Sequence, residues 1–177
     1  MNAGNPMDPK QTDAKETFRR VWDREFRTTA NVFRSFSADQ LCVKPHERSR
    51  TVRDLAWQCV IDEHVIGTIL SKTEHDLRNV PPAPPSPAAM EEIVAAYESA
   101  HSDAVEKLNQ LPEADFDRTV TSILAGGEWK MPRPEALWAN VMDQVHHRGQ
   151  LTIYLRQAGG KVPSIYGPSG DQPVPAY

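Results

Sequence analysis

The residues best suited to chemistry lie in the stretch DQVHHRGQLTIYLR, Asp143 to Arg156. Asp143 and His147 are four positions apart, so on a helix both side chains reach one point on the same face. A carboxylate and an imidazole so placed can ligate one divalent cation, the carboxylate suiting a harder ion and the imidazole suiting zinc, nickel or iron. Gln150 and Tyr154 continue the row at spacings of three and four, while His146 turns to the flank and is not a ligand. The row reads either as a solvated face or as the lining of a cavity. Tyr154 is an awkward member of a solvated face, because a large aromatic gains by burying its ring.

A second set of polar residues falls where apolar ones belong. In TVRDLAWQCVIDEHVIGTILS, Thr51 to Ser71, a helical projection gathers Leu55, Ile61, Val65, Ile66, Ile69 and Leu70 into one arc. Gln58 and Asp62 lie near the middle of that arc, with Arg53, His64 and Gly67 on the other side. An inward amide or carboxylate must be hydrogen-bonded or bound to a cation. Two readings stand: a core pair that fixes helix register, or a polar cleft between helices. His101 sits beside a stripe of Tyr97, Ala104 and Leu108, as a satisfied boundary residue or as part of the lining of such a cleft. Cys59 lies among apolar residues and reads as a buried core thiol; with Cys42 it makes neither a disulfide framework nor a zinc-ligand spacing.

Four helical patterns must carry these residues. The first runs roughly from Thr12 to Phe36, with Phe18, Trp22, Phe26, Thr29 and Phe33 on one stripe; the second runs from about Thr51 to Ser71, capped by Thr51 or Ser49. After PPAPPSP, which cannot be helix interior, the third runs from about Ala88 to Leu111. The fourth runs from about Pro134 to Ala158, with Pro134 in its first turn and Gly159-Gly160 at its end. Residues 112–133 are irregular and have room for a short strand or hairpin, and the tail after Gly160 reads as coil. The expected fold is all-α: one four-helix-bundle domain over residues 11–177, behind a flexible N-terminus of residues 1–10.

The totals narrow the function. A net charge of -4, a pI near 5.9 and the lack of a basic patch argue against nucleic acid as a partner. No apolar run approaches the ~18 residues of a membrane span, and the N-terminus lacks a signal-peptide core. The expected location is therefore cytoplasmic.

The segment HHRGQLTIYLRQAGGKVPSIYGPSGDQ, His146 to Gln172, closely resembles the C-terminal helix and tail of DinB-like proteins, the DinB/YfiT superfamily of four-helix bundles. The stretch TVRDLAWQCVIDEH resembles that family's second-helix motif, and helix order and length are similar over nearly the whole chain. The resemblance implies a divalent metal, zinc or nickel and alternatively manganese, held between helices by three histidines. Carried onto this chain, His147 matches the last ligand. Asp143 stands at the first histidine of the fourth helix and Gln58 at the histidine of the second. A carboxylate is a good ligand and a neutral amide a weak one; Asp62, one turn after Gln58, is the candidate to compensate. In the H-R-G-Q element, Gly149 is expected to admit a close helix, Arg148 to pair with a buried carboxylate or loop carbonyls, and Gln150 to support the cleft. The implied activity is thiol S-transfer with a low-molecular-weight thiol, or hydrolysis, with Tyr154 or Asp62 carrying the proton. The implied assembly is a homodimer. Two other readings remain: a non-catalytic small-ligand-binding bundle without a strong metal, and a structural dimer.

Overall fold

The computed structural model describes residues 14–76, 78, 83–124 and 126–173. The expected flexible segment 1–10 lies outside the described residues. Helix α1 spans Ala14–Phe33 and is followed by a single 3₁₀ turn, Ala38–Gln40. Helix α2 spans Val52–Ser71, strand β1 Glu74–Asp76 and helix α3 Met90–Gln110. A short helix α4, Glu113–Phe116, leads into strands β2, Thr119–Leu124, and β3, Gly127–Pro132, and helix α5, Arg133–Gln157, closes the bundle.

Each long helix starts and stops for local reasons. Thr51 caps α2: its Oγ accepts the Asp54 backbone N–H at 3.2 Å and its hydroxyl donates to the Asp54 carboxylate at 2.7 Å. At the other end of the chain, Gly159 takes a φ of +78°, a left-handed conformation suited to glycine, and terminates α5. The Gly160 N–H closes on the Leu155 carbonyl at 2.8 Å, and an added Cβ there would meet Leu155 Cδ1 at 2.3 Å.

The four long helices close a ring in which α2 packs on α3 and α5, and α1 packs on the same two from the other side. The irregular stretch before α5 carries the hairpin β2–β3, to which β1 adds in parallel on the β2 edge. The bundle is all-α in character, with this small sheet at one end of the chain's long connection.

The apolar core is divided. One cluster joins Phe33, Val52, Ala56, Ile93, Tyr97, Leu151 and Leu155. The other joins Phe18, Trp22, Ile66, Leu108, Leu137 and Val141. Between them, in the middle of every long helix, come buried polar side chains: Glu25 and Thr29 on α1, Asp62 and Glu63 on α2, His101 on α3, Gln144 and Arg148 on α5. A polar layer thus crosses the bundle.

Three expectations are corrected here. Gly67 was placed on the outer side of α2; it is buried against α3, where a Cβ would come within 3.1 Å of the Lys107 amine and 3.7 Å of the Ala104 methyl. Gly149 was expected to admit a neighbouring helix; it is exposed, and an added Cβ would meet nothing within 4 Å. Ile61 and Val65, expected in the apolar arc of α2, are only half-buried.

Candidate metal centre

Helix α2 brings Asp62 and helix α5 brings Asp143 and His147 to one place at the edge of the polar layer. One ligand atom from each of the three lies within 4.8 Å of the others. His147 Nε2 is 3.3 Å from the Asp143 carboxylate. The three differ in depth: Asp62 is buried at 4% exposure, His147 is half-buried and Asp143 is exposed. The group therefore has a floor, a wall and a rim, and it opens to solvent on the Asp143 side.

The neighbours hold these groups in place. His147 Nδ1 is 3.2 Å from Gln150 Oε1. An amide oxygen only accepts, so Nδ1 donates to it, and Nε2 is the nitrogen turned toward Asp143. Gln58 Nε2 donates to Asp62 Oδ1 at 2.9 Å, and Gln58 Oε1 accepts from Arg50 Nη1 at 2.8 Å. Both ends of the Gln58 amide are thus engaged, and its oxygen is turned to Arg50.

The fit of this site to a divalent ion rests on Asp62. Its Oδ2 is buried and has no hydrogen-bond partner among the described residues. Burial pushes the Asp62 carboxyl up to about 7; the Gln58 hydrogen bond opposes this, and the charges of Asp143 and Glu63 add to it. A buried carboxylate with an unsatisfied oxygen is costly. A cation beside Oδ2 removes that cost and replaces the proton. Two carboxylate oxygens and one imidazole nitrogen form a donor set suited to manganese, zinc or iron-like ions.

Other expected residues are placed apart from this group. Tyr154 is buried in the apolar cluster with Ala56, Cys59 and Leu155. His101 belongs to a second polar cluster: its ring stacks on Phe26 at 3.7 Å between centroids, Nε2 lies 3.1 Å from Asp23, and Nδ1 lies 3.4 Å from Glu63. It lines a surface depression with Asp23, Phe26 and Ser102. Cys59 is fully buried, and burial pushes its thiol well above the usual range, so it is no nucleophile.

Sequence reasoning missed the centre of that second cluster. Glu63 is wholly buried and accepts from Trp22 Nε1 at 3.0 Å and from Gln144 Nε2 at 3.2 Å. Gln144 Oε1 in turn accepts from the Tyr97 hydroxyl at 2.6 Å. The signal was adjacency: Asp62-Glu63 and Asp143-Gln144 each place one member in the open group and the next in the core. The two polar clusters stand back to back across α2 and α5.

Residues 7–173 match the DinB family. The chain is 29% identical over 156 residues to the uncharacterized protein YrdA of Bacillus subtilis (strain 168), covering 88% of this chain and 89% of that one. The fold is similar to that of a DinB-like protein from Bacillus cereus ATCC 10987, with a TM-score of 0.70 and 26% identity over 85% of this chain and 97% of that one. It is also similar to the DinB-like protein YjoA of Bacillus subtilis, with a TM-score of 0.62 and 18% identity over 89% and 99% of the two chains. With a family match that spans nearly its whole length, the chain belongs to the DinB family.

Proposed function

We propose that the protein is a divalent-metal-dependent enzyme whose ion is held by Asp62, Asp143 and His147. The observation that carries this reading is Asp62, buried with an unpartnered Oδ2 and grouped with ligand atoms of Asp143 and His147. In this reading Asp62 is a ligand, not the proton carrier, and Gln58 and Gln150 orient Asp62 and His147 from behind. Such outer partners fix tautomer and ring orientation at metal sites.

The reaction class is attack by a thiol or water on an electrophile, as in thiol S-transfer or hydrolysis. An ion at this site would supply Lewis acidity and lower the pKa of the nucleophile it contacts. The chain supplies the rest. The buried carboxylate sets the floor, His147 Nε2 the wall and the exposed Asp143 the rim, where the nucleophile's proton leaves to solvent. Two carboxylates favour manganese or zinc over nickel. The expected homodimer would use the outer face of α5, where Met142, Gly149 and Ile153 are exposed; sedimentation of the purified chain checks it.

The test is the metal content of protein purified without an affinity tag or chelator. Near-stoichiometric manganese or zinc is expected, and it should be lost in His147→Ala and in Asp62→Asn. Protein that is metal-free and also ignores added metal would overturn the reading and leave a non-catalytic ligand-binding bundle.

A further inference from the structure

We propose that Arg50 recognises an oxyanion, a carboxylate or phosphate group, on the substrate whose reacting atom sits at Asp62, Asp143 and His147. The inference rests on the metal reading above and adds the substrate class to it.

Arg50 is exposed and stands at the N-terminal approach to α2, in the loop CVKPHERSR that also carries exposed Lys44, His46 and Arg48. Its guanidinium reaches the site through one side chain: Nη1 donates to Gln58 Oε1 at 2.8 Å, and Gln58 Nε2 donates to Asp62 Oδ1 at 2.9 Å. A ligand seated at the orphaned Asp62 Oδ2 therefore has the guanidinium one amide away.

Charge explains why a separate cation is needed. Two carboxylates neutralise a divalent ion, so the loaded site has no net positive charge left for an anionic substrate. Arg50 supplies it. A guanidinium offers five N–H donors in a planar fork that matches a carboxylate or phosphate, and the Gln58 contact uses one of them. The Gln58 bond is charge-assisted by the guanidinium alone, whereas an oxyanion brings a second charge and can take two parallel N–H bonds of the fork. An arriving oxyanion therefore displaces Gln58 Oε1 from Arg50, while Gln58 Nε2 stays on Asp62. Gln58 thus serves as a tether: it links Arg50 to Asp62 through one amide and yields it to the substrate. A histidine at position 58 whose nitrogen ligated the metal would have no acceptor left for Arg50.

The experiment uses the full chain loaded with manganese and three probes: acetate, methylphosphonate and acetamide. Binding is followed by calorimetry in the wild type, Arg50→Gln and Arg50→Lys. We expect one or both oxyanions to bind at least about tenfold more tightly than acetamide. That advantage should be lost in Arg50→Gln and partly kept in Arg50→Lys, with manganese affinity the same in all three. Preference for acetate or for methylphosphonate names the group. Equal oxyanion binding by Arg50→Gln and wild type, with manganese bound by both, overturns the role of Arg50 and leaves the metal reading intact. A wild type that takes up no manganese or zinc removes the metal reading itself, and this inference with it.

Discussion

At the scale of single residues, the site turns on two departures from a three-histidine pattern, Asp143 and Gln58. Asp143 keeps the ability to ligate. Gln58 does not act as a ligand in this arrangement, because its oxygen is held by Arg50 and its nitrogen by Asp62. Asp62, buried one turn later, is the candidate to take its place. The replacement exchanges a soft nitrogen donor for a hard oxygen donor and so moves the preferred ion toward manganese. Gln58→His should reverse the exchange. It adds an imidazole beside Asp62 and frees Arg50, and zinc affinity should rise by at least about tenfold while manganese affinity changes less. Competition against a chromophoric chelator measures both. Unchanged zinc affinity would mean that position 58 no longer faces the ion.

At the scale of elements, helix periodicity made most of the bundle legible and the polar layer only half legible. Phe18, Trp22, Thr29 and Phe33 on α1, and Met90, Ile93, Tyr97, Ala104 and Leu108 on α3, are buried as their spacing predicts. His101 is buried as well, but toward Glu63 and Asp23 rather than toward the open group. Helix α2 has the most extensive packing of the four, against α3 and against α5, and buries residues all along both of those sides. Glu63 is therefore as buried as Cys59, although its neighbours Asp62 and His64 point elsewhere. Strand β1 had no signal at all: Glu74-His75-Asp76 is three polar residues, and only pairing with β2 makes it a strand. Since α2 carries both Gln58 and Asp62, its N-terminal cap is the element-scale feature to test. Thr51→Ala removes the side chain that holds the Asp54 N–H. It should cost about 1 kcal/mol, or about 2–4 °C in Tm for a chain of this size, with metal affinity unchanged because Asp62 lies about three turns inside the helix. A calorimetric scan with a metal titration checks both; a loss of metal binding would show that the cap, not only packing, positions the ligand.

At the scale of the whole molecule, the C-terminal segment straps the bundle through the polar layer. Arg148, wholly enclosed in α5, donates to Glu25 on α1 at 2.8 Å and to Thr29 Oγ at 3.3 Å. Tyr166, from the segment after α5, donates to the same Glu25 carboxylate at 2.6 Å and lies over the Arg148 guanidinium. Arg156 and Asp171 pair at 3.1 Å and hold the segment's far end. The Arg148 expectation, a buried carboxylate partner, is thereby met, and the tail read as coil is an ordered strap. The clasp has a pH signature. Burial alone would raise the Glu25 carboxyl, but the hydrogen bonds from Tyr166 and Arg148, with the Arg148 charge and Arg24, outweigh it and hold the group below its ordinary 4.5. A carboxyl held lower in the folded chain than in the unfolded one stabilises the fold above the unfolded value and loses that contribution as pH falls through the folded value. Wild-type stability should therefore decline below about pH 4.5. In Glu25→Gln the decline should be shallower from a lower starting point, and Tyr166→Phe should lie between the two. Arg148→Ala should be the most damaging change, about 3 kcal/mol at neutral pH, because it takes away the buried partner of Glu25 and leaves it paired only with the exposed Arg24. Urea midpoints from pH 7 to pH 3 measure all four proteins. Parallel curves for wild type and Glu25→Gln would show that the clasp is not what acid breaks.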